Sequence, residues 1–344
     1  MDKLHVGLDW GGTKIKIGIF KDEKLVSKHS IASGQLSSPD KFFKILREDL
    51  EKAVKKHNCA YSCIHGAGIG IPGLLNVTDG FIYYLPNIKG WENFAFRETF
   101  EKEMGFKLVM DNDANVAALS EFKRGAAVGY QRGIVFTLGT GLGSGLFLNG
   151  QMYSGDCSSA EAGHMPVNME GGKKCGCSSK GCIETYVGIR HLVDKAQQFM
   201  KKEPSSMKNL TSLSPKDIFD AAKQGDNVAL KCWEYLGYTL GTFSAGLVNL
   251  LDLQIIVVGG GVAGAYKYFA PSMNRAIKER AMHPLGDNVV VKKAKFSNDA
   301  GIYGAYELIK EVEERRHILS KYQKLVTNKK SVSSIFRRQD GSSI

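Results

Sequence analysis

No stretch of this 344-residue chain approaches the roughly 20 consecutive apolar residues a membrane-spanning helix needs, which excludes a helical membrane protein. The first ten residues mix charges with a short apolar run and contain no secretory h-region, so a cytoplasmic location is expected. Internal repeats at solenoid periods are also missing. Cysteines are few and odd in number, at 59, 63, 157, 175, 177, 182 and 232. In a reducing compartment the clustered trio favours a metal over disulfides. Acids are short of bases, 35 against 46, for a formal charge of +11. Residues 315–344 hold eight Lys or Arg and one acid, Asp340, so +7 lies there and +4 on residues 1–314. The excess belongs to a serine-rich tail that reads as solvated and disordered, which argues against a nucleic-acid or membrane partner.

A hydrophobic fraction of 43% with 10% aromatics describes an ordinary globular chain long enough for two cores. Apolar alternation predicts strands at 4–8, 15–20 and 25–29, with a glycine turn at Gly11-Gly12. Pro39 opens a helix whose apolar residues Phe42, Phe43, Leu46, Leu50 and Val54 have helical spacing, and 64–71 is a buried strand. Alternating strands and helices imply an α/β domain with a mixed sheet. The order restarts after Asp113: a helix at 114–125, strands at 133–138 and 145–148, mainly helical sequence from 182 to 252, and a strand at 254–258. The expected organisation is a small domain, 1–112, completed by a helix at 301–318, a large domain, 113–300, and a tail, 319–344. Two glycine-rich strand turns suggest two related halves.

The segment Asp9-Trp-Gly11-Gly12-Thr13-Lys14 lies between strands, where glycines admit a phosphate to backbone N–H groups and a carboxylate can face its magnesium. A plain hairpin turn satisfies the same residues. The run from Thr137 to Gly145 carries Thr140 and Gly141 among further glycines, more than a simple turn requires, and favours phosphate. Gly259-Gly260-Gly261-Val-Ala-Gly264 fits the dinucleotide fingerprint G-x-G-x-x-G. That fingerprint needs an acid on the next strand, yet residues 288–296 hold three lysines and no acid. At Met110-Asp-Asn-Asp-Ala-Asn115 a carboxylate can cap the following helix or, at Asp113, accept a proton from a substrate hydroxyl during phosphoryl transfer.

His164, Cys175, Cys177 and Cys182 make a Cys3His set of the kind that closes around structural zinc. Glu161 and Glu184 flank it, and folding the loop on a metal would bring these carboxylates together, where they suit sugar hydroxyls. The second ring nitrogen of His164 would remain for a substrate.

Together these motifs resemble the ROK family of sugar kinases over residues 4–316: Asp9 to Thr13, Asn112-Asp113, Glu161 to His164, and Cys175 to Glu184 match its pattern in order. The resemblance implies an actin-like ATPase (ribonuclease H-like) fold, two α/β domains with central mixed sheets around a cleft, commonly dimeric. It implies phosphorylation of the 6-hydroxyl of a hexose, most simply glucose, with N-acetylglucosamine or N-acetylmannosamine as alternatives. Asp113 is then the base; Asn112, Glu161, His164 and Glu184 hold the sugar. Residues 68–73, with Asn87 and Trp91, form its small-domain wall. ATP with Mg2+ would lie across Asp9, Gly11, Gly12, Thr13, Lys14, Thr140, Gly141, Gly260 and Gly261, and structural Zn2+ on His164 and the three cysteines. Sugar-responsive regulators of the family carry a helix-turn-helix before the first strand, for which the position of Asp9 is expected to leave no room. Two positions depart from the family pattern, where glycine is usual: Ala160 and Ser178.

Overall fold

The computed structural model describes residues 3–36, 38–85, 88–155 and 160–336. Its elements in chain order are β1 Leu4–Trp10, β2 Lys14–Lys21, β3 Lys24–Ala32, α1 Pro39–Lys55, β4 Ile64–Ile71, β5 Leu74–Asn76, β6 Phe81–Tyr84, α2 Phe96–Met104, β7 Lys107–Asn112 and α3 Asp113–Arg124. There follow β8 Gly133–Leu138, β9 Leu142–Leu148, β10 Gln151–Met152, α4 Glu184–Val187, α5 Ile189–Met200, α6 Pro215–Lys223, α7 Asn227–Leu251, β11 Ile255–Gly259, α8 Tyr266–Arg280, α9 Leu285–Asn288, β12 Val290–Lys293 and α10 Ala300–Phe336.

The two main sheets have the same plan. Each begins with an antiparallel meander and extends from its first strand by two parallel strands: β3-β2-β1-β4-β7 in one, β10-β9-β8-β11-β12 in the other. The expectation of two related halves is met at the level of topology, and the restart falls at the β7–α3 junction.

Alternation along the first sheet explains its packing. Leu4, Val6, Leu8 and Trp10 on β1 and Ile15, Ile17 and Ile19 on β2 bury against Phe42, Phe43, Leu46 and Leu50 of α1 and Phe96 and Phe100 of α2. The opposite face carries Gly7, Gly18 and Gly68, because α10 lies almost on the strand backbones. A Cβ at Gly7 would sit 2.4 Å from the Ile302 carbonyl, and one at Gly68 1.8 Å from that of Ala305. In the second sheet Ile134, Phe136, Ile256 and Val258 face the core against α7 and α8, while Val135, Phe147, Ile255 and Val257 face Ala118, Leu119 and Phe122 of α3. Helices α3 and α10 meet between the sheets, so closely that a Cβ at Gly304 would lie 1.7 Å from the Val116 carbonyl. The molecule is thus two sheets around one crossed helix pair, with outer helices on each side. The cleft opens beside the N-terminal ends of that pair.

Three sequence expectations change. Helix α10 does not stop at residue 318 but runs to Phe336, since residues 319–336 contain neither Gly nor Pro to break it; the expected tail boundary at 319 falls inside it. The strand expected over 288–296 is confined to Val290–Lys293. Trp91 is fully buried, edge-on to Trp10 at 4.8 Å within the aromatic core beneath the first sheet, and so cannot line a sugar site. Among the described residues no helix is long and apolar enough to cross a membrane.

Candidate active site

Two cavities meet between the sheets. A cleft of about 680 Å³ is lined by Asn112, Thr140, Gly141, Glu161, His164 and Glu184, among others, with Gly73, Leu74 and Tyr84 contributed by the segment from the end of β4 to β6. An inner cavity of about 150 Å³ includes Asp9, Lys16, Gly259 and Gly301 in its lining. Asp113, Ala114, Thr137 and Gly260 line both. Asp113 therefore stands where the two spaces join.

Its position follows from the strand-to-helix transition. Asn112 ends β7 with extended backbone and its Oδ1 accepts the Ala114 N–H at 2.9 Å, so the helix cap is supplied by the residue before Asp113. Asp111 is buried, accepting from the Asn112 N–H and from Asn115 Nδ2, and belongs to the core. Asp113 Oδ1 also reaches the Ala114 N–H at 2.9 Å, which fixes its rotamer. Burial, then the Asp9 carboxylate and more weakly Glu161, push the Asp113 carboxyl up to about 6.

The acids on the other wall are held by the second glycine loop. Glu184, at the start of α4, accepts the Leu142 N–H at 3.1 Å, and a Cβ at Gly141 would lie 2.0 Å from Glu184 Oε2. Gly141 is required because a carboxylate occupies its side-chain space. Ser144 on β9 accepts the Ala162 N–H at 3.0 Å and donates to the Ala160 carbonyl, clamping both sides of Glu161. Burial and the neighbouring Glu184 raise the Glu161 carboxyl, against the opposing pull of His164. At Gly260 φ is +80° and a Cβ would lie 2.3 Å from the Leu138 carbonyl, so the third glycine turn packs on the end of β8.

His164, Cys175, Cys177 and Cys182 bring one ligand atom each within 4.8 Å of all the others. Cys177 Sγ and Cys182 Sγ are 3.7 Å apart, and Cys175 Sγ is 3.5 Å from His164 Nδ1. Zinc bonds of about 2.3 Å to sulfur and about 2.0 Å to nitrogen give tetrahedral edges of about 3.7 and 3.5 Å. The four residues fit the metal in number, donor type and spacing. Nδ1 faces the cluster, leaving Nε2 free of it, and Glu184 Oε1 lies 3.5 Å from Cys175 Sγ.

The two departures from the family pattern both have left-handed backbone: φ is +58° at Ala160 and +71° at Ser178. Glycine adopts that region freely, whereas a Cβ there costs about 1 kcal/mol. Ala160→Gly and Ser178→Gly are each expected to raise stability by about 0.5–1 kcal/mol, read as a higher urea midpoint at unchanged slope. An unchanged or lowered midpoint contradicts the strain.

Of the residues singled out from sequence, the cleft brings together Asn112, Asp113, Thr140, Gly141, Glu161, His164, Cys177, Glu184, Gly260 and Gly261, and the inner cavity adds Asp9. Gly11, Gly12, Thr13 and Lys14 form the β1–β2 turn, closed by Gly11 N–H to the Lys14 carbonyl at 3.0 Å, and line neither space. Of residues 68–73 only Gly73 lines the cleft; Gly68 serves the approach of α10. Asn87 lies outside the described residues. Sequence reasoning missed Lys16, and it included Thr137 and Ser144 in the second glycine loop without giving either a role. A turn at Gly11-Gly12 would pair Asp9 with Lys14; the observed turn is centred one residue later, on Gly12-Thr13, and this register sets Lys16 opposite Asp9.

Residues 5–312 match the family model described as ROK family. The chain is 33% identical to a glucokinase of Halalkalibacterium halodurans over 91% of its length and 96% of that protein. It is 29% identical to an N-acetyl-D-glucosamine kinase of Histophilus somni, covering 89% of the chain and 98% of the relative. Among solved structures, the ROK family glucokinase of Streptomyces griseus in complex with glucose and AMPPNP superposes with a TM-score of 0.73 at 29% identity, covering 89% of this chain and 98% of that one.

Proposed function

This chain belongs to the ROK family and is an ATP-dependent hexose kinase, and we propose that it phosphorylates the 6-hydroxyl of glucose with Asp113 as general base. The observation that carries the reading is the place of Asp113: its carboxylate stands at the junction of the cleft that holds Glu161 and Glu184 and the inner cavity that holds Asp9 and Lys16. A sugar held by Asn112, Glu161, His164 Nε2 and Glu184 would present its 6-hydroxyl to Asp113, since carboxylates accept from adjacent hydroxyls. Asp113 takes the hydroxyl proton as the sugar oxygen bonds to the γ-phosphorus, and the bond from that phosphorus to the β–γ bridging oxygen breaks to release ADP. Thr140-Gly141 and Gly260-Gly261, which line the cleft, would offer backbone N–H groups to the phosphates, with Asp9 facing them from the inner cavity. Mg2+ beside Asp9 would neutralise phosphate charge. The Cys3His site would hold zinc as a scaffold that fixes Glu184 and His164, and the sheets closing on the substrates would exclude water that competes for the phosphoryl group.

Higher identity to the glucokinase than to the N-acetyl-D-glucosamine kinase favours glucose. Coupled ADP release across glucose, mannose, fructose, N-acetylglucosamine and N-acetylmannosamine tests this. The largest kcat/KM is expected for glucose, by at least about tenfold. A larger value for either acetamido sugar assigns the enzyme to that sugar instead.

A further inference from the structure

Among the described residues, five carboxylates line the two cavities, on Asp9, Asp113, Glu121, Glu161 and Glu184, and Lys16 is the only lysine or arginine in the lining. Glu121 is fully engaged by the N–H groups of Ala126, Lys295 and Phe296. The other four leave an acid-walled space that an ATP polyanion must enter. Phosphoryl transfer is catalysed chiefly by positive charge placed on the transferring group. Lys16 is therefore the side chain whose charge matters most there.

Its location is set by register. Lys16 lies directly opposite Asp9 across β1–β2, and thus on the same sheet face. That face is covered by α10: two residues on, a Cβ at Gly18 would lie 2.2 Å from Ile302 Cγ2, and one at Gly301 would lie 2.3 Å from Asp9 Cγ. Lys16 lies just before the first turn of α10, beside the turn formed by Ser297–Asp299. Its Nζ donates to Asp9 Oδ2 at 2.8 Å and to the Asn298 carbonyl at 2.6 Å. An ammonium has three donors, so one remains.

We propose that Lys16 exchanges Asp9 for the γ-phosphoryl oxygens of ATP when MgATP binds, and is the phosphate-binding cation of the transfer site. The inference rests on the ATP reading above. A magnesium ion drawing on the Asp9 carboxylate would weaken its hold on Lys16 through like-charge repulsion, and the ammonium could then turn to the incoming phosphates. Before nucleotide arrives, the same ion pair keeps Asp9 compensated and ties β2 to the turn that leads into α10.

Calorimetric titration of the full chain with MgAMPPNP, MgADP and glucose tests the exchange. Lys16→Met is expected to weaken MgAMPPNP by about tenfold or more, the worth of a charge-assisted bond. MgADP, which lacks the γ-phosphoryl group, should weaken by less than about threefold, and glucose affinity should be unchanged; kcat should fall by about a hundredfold. Lys16→Gln, which can still donate to Asp9 and to the Asn298 carbonyl but has no charge, should show the same nucleotide-selective loss. Equal losses for both nucleotides, or none, in whichever variant folds would overturn the exchange. Failure of the wild-type protein to bind MgAMPPNP would instead overturn the ATP reading.

Discussion

Asp113→Asn is expected to lower kcat by about 10³-fold or more while glucose and MgAMPPNP still bind. Loss of a general base removes about 10²–10⁴ in rate. The substitution preserves shape, and an Asn Oδ1 can still accept the Ala114 N–H that Asp113 accepts at 2.9 Å. The same change should stabilise the fold at alkaline pH. The native carboxyl is pushed from a reference value of 3.8 up to about 6 by burial and by Asp9. A raised native value means that this group's contribution is fully present below the unfolded value and is lost as pH rises through about 6. At pH 8 the ionised Asp113 thus opposes folding by up to about 3 kcal/mol, which Asn relieves. Slower turnover with a higher unfolding midpoint is the expected pair of results. Near wild-type turnover would remove Asp113 from the chemistry.

The second large effect concerns the Cys3His cluster. Purified protein should contain about one zinc per chain, and Cys182→Ser should abolish it and raise the sugar KM by about tenfold or more. Structural zinc contributes roughly 10–16 kcal/mol in small isolated modules, and here it would fix the segment from His164 to Cys182. The segment contains no regular strand or long helix; its own support is bridges at Lys174–Lys180 and Pro166–Cys182, backbone bonds across the loop such as Val167 N–H to the Gly181 carbonyl, and Asn168 Nδ2 donating to Tyr186 Oη. Without metal, ordering it costs about 1–2 kcal/mol per residue of backbone entropy. Because Glu184 and His164 are positioned by this segment, the loss should appear in KM before kcat. Hydrogen exchange should show new exposure confined to residues 164–182. Metal-free protein with an unchanged sugar KM and unchanged exchange would contradict the scaffold role.

Much of this architecture was legible from local pattern. Alternation on β1 and β2 and the helical spacing of Phe42, Phe43, Leu46 and Leu50 report directly which faces are buried. The acids of the site were legible too, because Glu161, His164, the cysteines and Glu184 crowd into one short stretch. Glycines were harder to assign. Gly68 and Gly141 both lack a side chain because something else fills the space, but for Gly68 it is a helix carbonyl and for Gly141 the carboxylate of Glu184. Sequence alone does not distinguish these neighbours. Trp91 was misplaced for a related reason: an aromatic residue suits a sugar wall and a core equally, and only packing against Trp10 decides. The clamp that Ser144 makes on either side of Glu161 stayed hidden because it depends on which loop lies across the sheet.

The most direct test is the pH dependence of kcat/KM for glucose, which reports the base in the free enzyme. The profile should fall below an apparent pKa of about 6 with unit slope, and this limb should be absent from the residual activity of Asp113→Asn. A wild-type profile flat from pH 5 to 7, or an unaltered limb in the variant, would contradict the central claim that Asp113 accepts the proton.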